Sequence, residues 1–397
     1  MTYRVEGRPR DTGWAGTRKP AVSDRVIRSR SGADGPDGSP GERIESGVRA
    51  EYRGSDRDRP GIDPALSSAL AGAFRSMQVG VTGATGFIGS HLTRRLAAAG
   101  HEVVATSRGE TAPPADLAEL DGVRVVAAPV DDEPALRTAF ADVDVVAHLA
   151  GIPFERGPQT YRRVHVQGTR AVASAAEAAD ADRLVLSSFL KARPNCGSGY
   201  HESKWVAEEL VRGADVDHVV CKIGLTYGPG DHVLTQVSRA LATAPVFGLV
   251  GFGERRMRPL VVDDLVDVLE VALLEDRLAG TTVPVVGPEE LALETFVGRI
   301  GRVMGREPIT VPVPVVGHRM LARLQEALLE TPATARAQVR MLSEGLVEPE
   351  PAAVCDPLPA DLAPETPFTR AQIERGLPEV RRFGLRDLRW GPDGGRS

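Results

Sequence analysis

Val79–Gly80–Val81–Thr82–Gly83–Ala84–Thr85–Gly86–Phe87–Ile88–Gly89 decides the fold of this 397-residue chain. Valines around a glycine read as a buried strand, and Ser90–His91–Leu92–Thr93–Arg94–Arg95–Leu96–Ala97 continues as a helix. Between them lie three glycines, each three residues after the last. Gly83 allows a tight turn, Gly86 lets backbone N–H groups approach a phosphate, and Gly89 lets the helix pack close to the strand. A helix N-terminus offers free N–H groups and the positive end of the macrodipole. The run Gly83, Thr85, Gly86, Phe87, Ile88 and Gly89 is therefore expected to hold the pyrophosphate of a dinucleotide.

Working outward, the pattern alternates strand and helix. Val79–Val81, Val103–Ala105, Val123–Ala127, Val143–Ala147, Leu184–Leu186 and His218–Ile223 are apolar runs of strand length. Helical periodicity lies near 87–99, 132–141, 159–179 and 202–213. This alternation implies an α/β fold, a Rossmann-type doubly wound parallel sheet with its ligand crevice at the strand C-termini. After about residue 230 the pattern loosens. Helices near 233–243, 262–275, 291–304 and 315–329, with short strands at 282–286 and 309–313, suggest a smaller C-terminal α/β substrate lobe. The expected organisation is an NAD(P)-binding domain over 77–230, a substrate-binding lobe over 231–345 and a C-terminal tail over 346–397.

Residues 1–76 differ in kind. They hold 14 basic and 11 acidic residues among Gly, Ser and Pro, with no strand or helix period. Too little apolar surface is available to offset chain entropy. They read as a disordered leader, or as upstream sequence ahead of a natural start at Met77. The rest of the chain carries 34 basic and 43 acidic residues.

Further motifs follow in order along the chain: His148–Leu149–Ala150–Gly151, the pair Tyr200 and Lys204 in Tyr200–His201–Glu202–Ser203–Lys204, Tyr227–Gly228–Pro229–Gly230–Asp231, and Arg258–Pro259–Leu260–Val261–Val262–Asp263–Asp264. With Pro284–Val285–Val286–Gly287–Pro288, these resemble the extended and atypical short-chain dehydrogenases/reductases, the NAD(P)-dependent epimerase/dehydratase type. The nearest branch is that of the nucleotide-binding accessory subunit of respiratory complex I. The resemblance covers residues 77 to about 345. It implies an oxidoreductase or sugar-nucleotide epimerase/dehydratase acting on a small carbonyl or alcohol by hydride transfer. The alternative it carries is a catalytically weak nucleotide-binding structural or assembly protein.

Tyr200 and Lys204 stand one helical turn apart, so both side chains share a face. A free phenol has a pKa near 10. A neighbouring ammonium is expected to lower it and fit Tyr200 for proton exchange with a substrate oxygen. The resemblance makes Lys204 also the holder of the nicotinamide ribose. It makes Ser188, 12 residues before Tyr200, the substrate-orienting hydroxyl, although Phe189 stands where many extended members carry one. It places Ala150 and Gly151 beside the cofactor, and Ile223 in the Lys222–Ile223–Gly224 segment next to the nicotinamide amide, where Arg–Pro–Gly is usual. His165 occupies a common asparagine position and reads as a hydrogen-bonded helix residue rather than a base. Asp263 and Asp264 read as caps of the following helix, not as a metal pair.

At the end of the second strand stand Ser107 and Arg108, with no acid to bind a ribose 2′-hydroxyl. A guanidinium there pairs with a 2′-phosphate, so NADP is favoured, with NAD open. The net charge of −6 argues against nucleic acid as partner. No run of 18 apolar residues spans a membrane. Cys196, Cys221 and Cys355 form no CxxC and suit a reducing compartment, the cytoplasm. The expected partner is a small-molecule substrate, and a homodimer is left open.

Overall fold

The computed structural model describes residues 76–384 except 111, 113, 329–335 and 351–352, together with Asp387. The leader expected over 1–76 lies, save for Ser76, outside the described residues.

Six strands and their helices alternate as the sequence implies: β1 (Gln78–Thr82), α1 (Phe87–Ala98), β2 (Glu102–Ser107), α2 (Ala115–Ala118), β3 (Val123–Ala127), α3 (Glu133–Ala139), β4 (Val145–His148), α4 (Gly168–Ala178), β5 (Arg183–Phe189), α5 (Gly199–Arg212) and β6 (His218–Ile223). Their order is β3-β2-β1-β4-β5-β6, all parallel. The order reverses between β1 and β4, so helices cover both faces and a crevice opens at the strand C-termini there.

Side chains alternate across each strand and feed two cores. Val79, Val81, Val103, Ala105, Val145 and Val185 face one side, with Leu92 and Leu96 of α1. Val104, Val146, Leu184 and Leu186 face the other, with Leu136, Val172, Ala207 and Val211 from α3, α4 and α5. Each fully buried Val or Leu contributes about 1.5–3 kcal/mol.

Two parts of the chain sit elsewhere than the sequence pattern suggests. Thr282–Val285 is no part of the smaller lobe. It pairs in parallel with β6 as the seventh strand of the sheet. The helix Val262–Leu274 likewise packs Leu265, Val266 and Leu269 into the α1 side of the core. The described part of the segment after 346 is no loose tail either. Asp356 N–H donates to the Thr282 carbonyl at 2.7 Å. Phe368 is fully buried, stacked on Phe296 at 4.6 Å and edge-on to Tyr227 at 4.8 Å.

The remaining lobe centres on a parallel ribbon, Val246–Val250 with Ile309–Val313. Helices His232–Thr243, Leu293–Val303, Val315–Leu328 and Arg336–Glu344 belong to it. Its core gathers Leu234, Met257, Phe296 and Phe368, and also Phe189 from the end of β5. Phe189 thus joins the sheet's crevice to the lobe.

Candidate active site

The glycine loop has the shape its sequence demands. Gly83 has φ +70°, and a Cβ there would lie 2.8 Å from the Ala150 nitrogen. A Cβ on Gly89 would lie 2.1 Å from the Gly83 carbonyl oxygen, so no side chain fits. Gly86 precedes α1 in extended conformation with no side-chain cap. The first amides of α1 are therefore left to a ligand. Thr85 and Gly86 are exposed, while Phe87 and Ile88 are half-buried. Phe87 packs edge-on to His91, whose Nε2 lies 3.0 Å from the Pro229 carbonyl, and this ties the Gly228–Pro229–Gly230 loop over the crevice. An uncapped helix end behind an obligatory glycine fits a dinucleotide pyrophosphate.

Arg108 follows β2 and is exposed, with Glu110 3.3 Å away and similarly exposed. Such a pair contributes little and leaves the guanidinium available. Asp131, after β3, is engaged by Arg163.

Around Tyr200 the structure assembles an aromatic cluster. Phe189 lies 5.3 Å away between ring centroids, Tyr161 and His165 each 5.6 Å, and His201 6.0 Å. The Tyr161 hydroxyl donates to the Pro153 carbonyl at 3.1 Å. Burial raises the Tyr200 phenol well above its ordinary value. The expected lowering by Lys204 is therefore corrected: within the protein alone, desolvation wins. Lys204 is buried and donates to the Ser187 carbonyl at 3.0 Å. Burial lowers its ammonium to about 8, with Glu208 opposing the shift. Its Nζ lies 3.3 Å from where a Cβ on Gly151 would stand, and His165 Nε2 at 3.5 Å. Gly151 thus meets Lys204 at the crevice floor, beside half-buried Ala150.

Ser188 is not in this cluster, which corrects its assignment as the substrate-orienting hydroxyl. Pleat alternation puts it on the α5 side with Leu184 and Leu186. There its hydroxyl donates to Glu208 Oε1 at 2.5 Å. Lys222 Nζ donates to the same oxygen at 2.6 Å, and Arg212 donates to Oε2 at 3.0 Å. Ser188, Glu208 and Lys222 are all buried. Phe189, one residue on, takes the place beside the phenol. Ile223 is also turned away: its side chain lies in the core and its carbonyl accepts from Leu190 N–H at 3.0 Å.

His165, read from the sequence as a hydrogen-bonded helix residue, has both ring nitrogens engaged. Residues Arg162–Gln167 form one π-helical turn ahead of α4. Such widened turns recur at functional sites. His165 Nε2 accepts from Ile152 N–H at 3.1 Å, so the proton sits on Nδ1, 2.9 Å from Ser203 Oγ. Ser203 in turn donates to the Tyr200 carbonyl at 2.9 Å. Burial, then the charge of Lys204, holds this imidazole neutral, well below its ordinary pKa. His165 therefore ties the loop after β4 to the first turn of α5, as a satisfied helix residue rather than a base.

Asp263 and Asp264 do not cap their helix. Asp264 accepts from the backbone of Glu365 and Thr366 at 3.0 and 2.9 Å, and Asp263 pairs with Arg375. They anchor the C-terminal segment. Among the described residues no cluster suits a metal ion, and no helix is long and apolar enough to cross a membrane.

Solved structures share this fold. MoeE5 in complex with UDP-glucose and NAD superposes with a TM-score of 0.53 at 21% identity, over 75% of this chain and 97% of that one. A Bacillus cereus UDP-glucuronic acid 4-epimerase in complex with NAD gives 0.53 at 20%, over 60% and 88%. In sequence, a ceramide reductase of Caulobacter vibrioides is 36% identical over 168 residues, 42% of this chain. The chain spans about half of that relative, 52%. The mitochondrial NADH-ubiquinone oxidoreductase 40 kDa subunit of Neurospora crassa is 24% identical over 68% of this chain and 72% of its own length. The model of the NAD dependent epimerase/dehydratase family matches residues 79–285. That span opens on β1 and closes on the last residue of the seventh strand, so the stretch that builds the sheet is also the stretch the family defines, and the chain belongs to the NAD-dependent epimerase/dehydratase family.

Proposed function

We propose that this chain is an NAD(P)(H)-dependent oxidoreductase that reduces a carbonyl, or oxidises the alcohol, on an apolar substrate, with Tyr200 exchanging the proton. The observation that carries the reading is Phe189 packed at 5.3 Å from Tyr200, while Ser188 is held by Glu208 on the far side of β5. A sugar ring needs hydroxyl or amide partners, since unpaired polar groups in such a site are costly. Phe189 and Tyr161 instead offer an apolar wall. The nucleotide, when bound on the loop Gly83–Gly89, supplies or accepts hydride. Tyr200, protonated by its burial, gives its proton to the substrate oxygen. Lys204 holds positive charge beside Gly151 and favours the phenolate that remains. Arg108, exposed after β2, supports a preference for NADP. The ceramide reductase of Caulobacter vibrioides, named for an apolar substrate, is consistent with this reading, as is a cytoplasmic site of action.

The test is single-turnover oxidation of NADPH against alkyl and aryl ketones of increasing length, with UDP-glucose and UDP-glucuronic acid supplied in parallel with oxidised NAD and followed by reduced-cofactor or epimer formation. Tyr200→Phe should retain cofactor affinity and lose about a hundred- to ten-thousand-fold in rate. An unchanged rate overturns the catalytic role. Faster turnover of the UDP-sugars than of any ketone overturns the substrate class. A second reading, a nucleotide-binding structural protein, is favoured by the missing hydroxyl beside Tyr200 and by the Neurospora crassa relative. Tight NADPH binding with no carbonyl turned over supports that reading.

A further inference from the structure

Outside the Tyr200 crevice, the lobe holds a cavity of about 410 Å³. Its walls include Leu249, Val250, Leu293 and Pro312, and Phe252 stands at its edge, 77% exposed. Arg255 lines it. Among the described residues, the Arg255 Nε is buried without a hydrogen-bond partner. The Gly251 turn makes room for it: Gly251 has φ +82°, and a Cβ there would lie 3.2 Å from Arg255 Nη2. The backbone carbonyl of Arg255 accepts from Leu293 N–H at 2.7 Å, which fixes the side chain's origin beside the start of Leu293–Val303.

The neighbouring carboxylates are engaged elsewhere. Glu254 accepts from Arg256 at 3.1 Å, and Arg256 also donates to Glu290 at 2.9 Å. Glu294 accepts from the Thr310 hydroxyl at 2.6 Å. Among the described residues, Arg255 is thus a guanidinium without an ion-pair partner in a cavity that has both apolar and polar walls. A guanidinium left without a partner is costly, and a ligand oxygen on its outer nitrogens would offset part of that cost. Glu254 and Glu294 on the rim disfavour a ligand with several negative charges. The apolar walls and Phe252 favour a hydrocarbon body.

We propose that this cavity binds an amphiphile with a single negative charge, a carboxylate or phosphodiester head on Arg255 and an apolar chain along Phe252. The inference concerns a different place from the Tyr200 crevice, and its test needs neither cofactor nor turnover.

The experiment is calorimetric titration of the full-length protein with sodium decanoate and with dioctanoylphosphatidylglycerol below its micellar concentration. Decanol, inorganic phosphate and UDP serve as controls. One or both amphiphiles should bind with a dissociation constant below about 1 mM, weaker than −4.1 kcal/mol being no site. Binding of decanoate alone identifies a free carboxylate as the head, and binding of the phosphatidylglycerol alone identifies a lipid phosphodiester. Arg255→Gln should weaken binding about tenfold or more, as loss of a charge-assisted hydrogen bond requires. Arg255→Lys should retain part of it, and Phe252→Ser should weaken it while the thermal midpoint stays. Among the described residues Arg255 has no ion-pair partner to lose, so its variants should fold. Failure of both amphiphiles to bind, equal binding by Arg255→Gln, or tighter binding of UDP, phosphate or decanol overturns the proposal.

Discussion

Removing the Glu208 carboxylate tests which side of β5 carries chemistry and which carries structure. In Glu208→Ala, Lys222 Nζ keeps only the Ala192 carbonyl at 3.4 Å, in a position 1% exposed. Ser188 loses its acceptor as well. Breaking a buried ion pair from one end costs about 3–5 kcal/mol, because the remaining charge has no compensation. Replacing both ends removes that penalty, so Glu208→Ala with Lys222→Met should recover most of the loss. Ser188→Ala should cost about 1.5–3 kcal/mol, the range for a hydrogen bond to a charged group, while leaving NADPH oxidation within a few-fold of wild type. Urea unfolding gives the stabilities and single-turnover kinetics the rates. A double variant no more stable than Glu208→Ala refutes the buried-charge argument. A Ser188→Ala rate loss as large as that of Tyr200→Phe refutes the placement of Ser188 outside the active site.

Two further outcomes follow from charges the structure places. Arg108→Ala should weaken NADPH by about 1.5–3 kcal/mol and NADH little, whereas equal losses in the two dissociation constants would show that Arg108 does not face the 2′-phosphate. Stability should fall as pH drops below 6.5, because burial holds His148 near 3 and His201 near 4, so the unfolded chain takes up protons that the folded chain refuses. Each such histidine contributes a slope of about 1.4 kcal/mol per pH unit. Glu344, lowered to about 2 by Arg193 and Arg340 against its own burial, adds a loss between about 4.5 and 2. Urea midpoints that stay level from pH 7 to 5 would refute the histidine part.

The sheet was legible because its determinants are local. Apolar runs of strand length and the spacing of Gly83, Gly86 and Gly89 each follow from contacts a few residues long. Tyr200 and Lys204 were legible for the same reason, one turn apart on α5. Parity along β5 carries the Ser188 result too: a residue two after Leu186 shares its face, so Ser188 belongs with the buried helix and Phe189 with the crevice. Family position outweighed that parity in the sequence reading. Thr282–Val285 could not be assigned from local pattern, since its partner β6 lies some sixty residues earlier. The π-turn at His165 has no sequence signature at all, because the widened ring is set by what the imidazole must reach, Ile152 on one side and Ser203 on the other.

The protonation of Tyr200 depends on its burial as well as on the motif. The same Tyr–Lys spacing serves a phenolate base or a phenol acid, and only the surroundings decide between them. Here Phe189, Tyr161 and His165 surround the ring, and His165 is held neutral, so it adds no positive charge to favour phenolate. Lys204 spends one donor on the Ser187 carbonyl and is itself lowered by burial. Within the protein alone these surroundings make proton release harder, so in the proposed reaction a charge supplied on binding, such as an oxidised nicotinamide ring, has to favour the phenolate. In that reaction the same phenol serves both directions, giving a proton as hydride arrives at a carbonyl and taking one back as hydride leaves an alcohol.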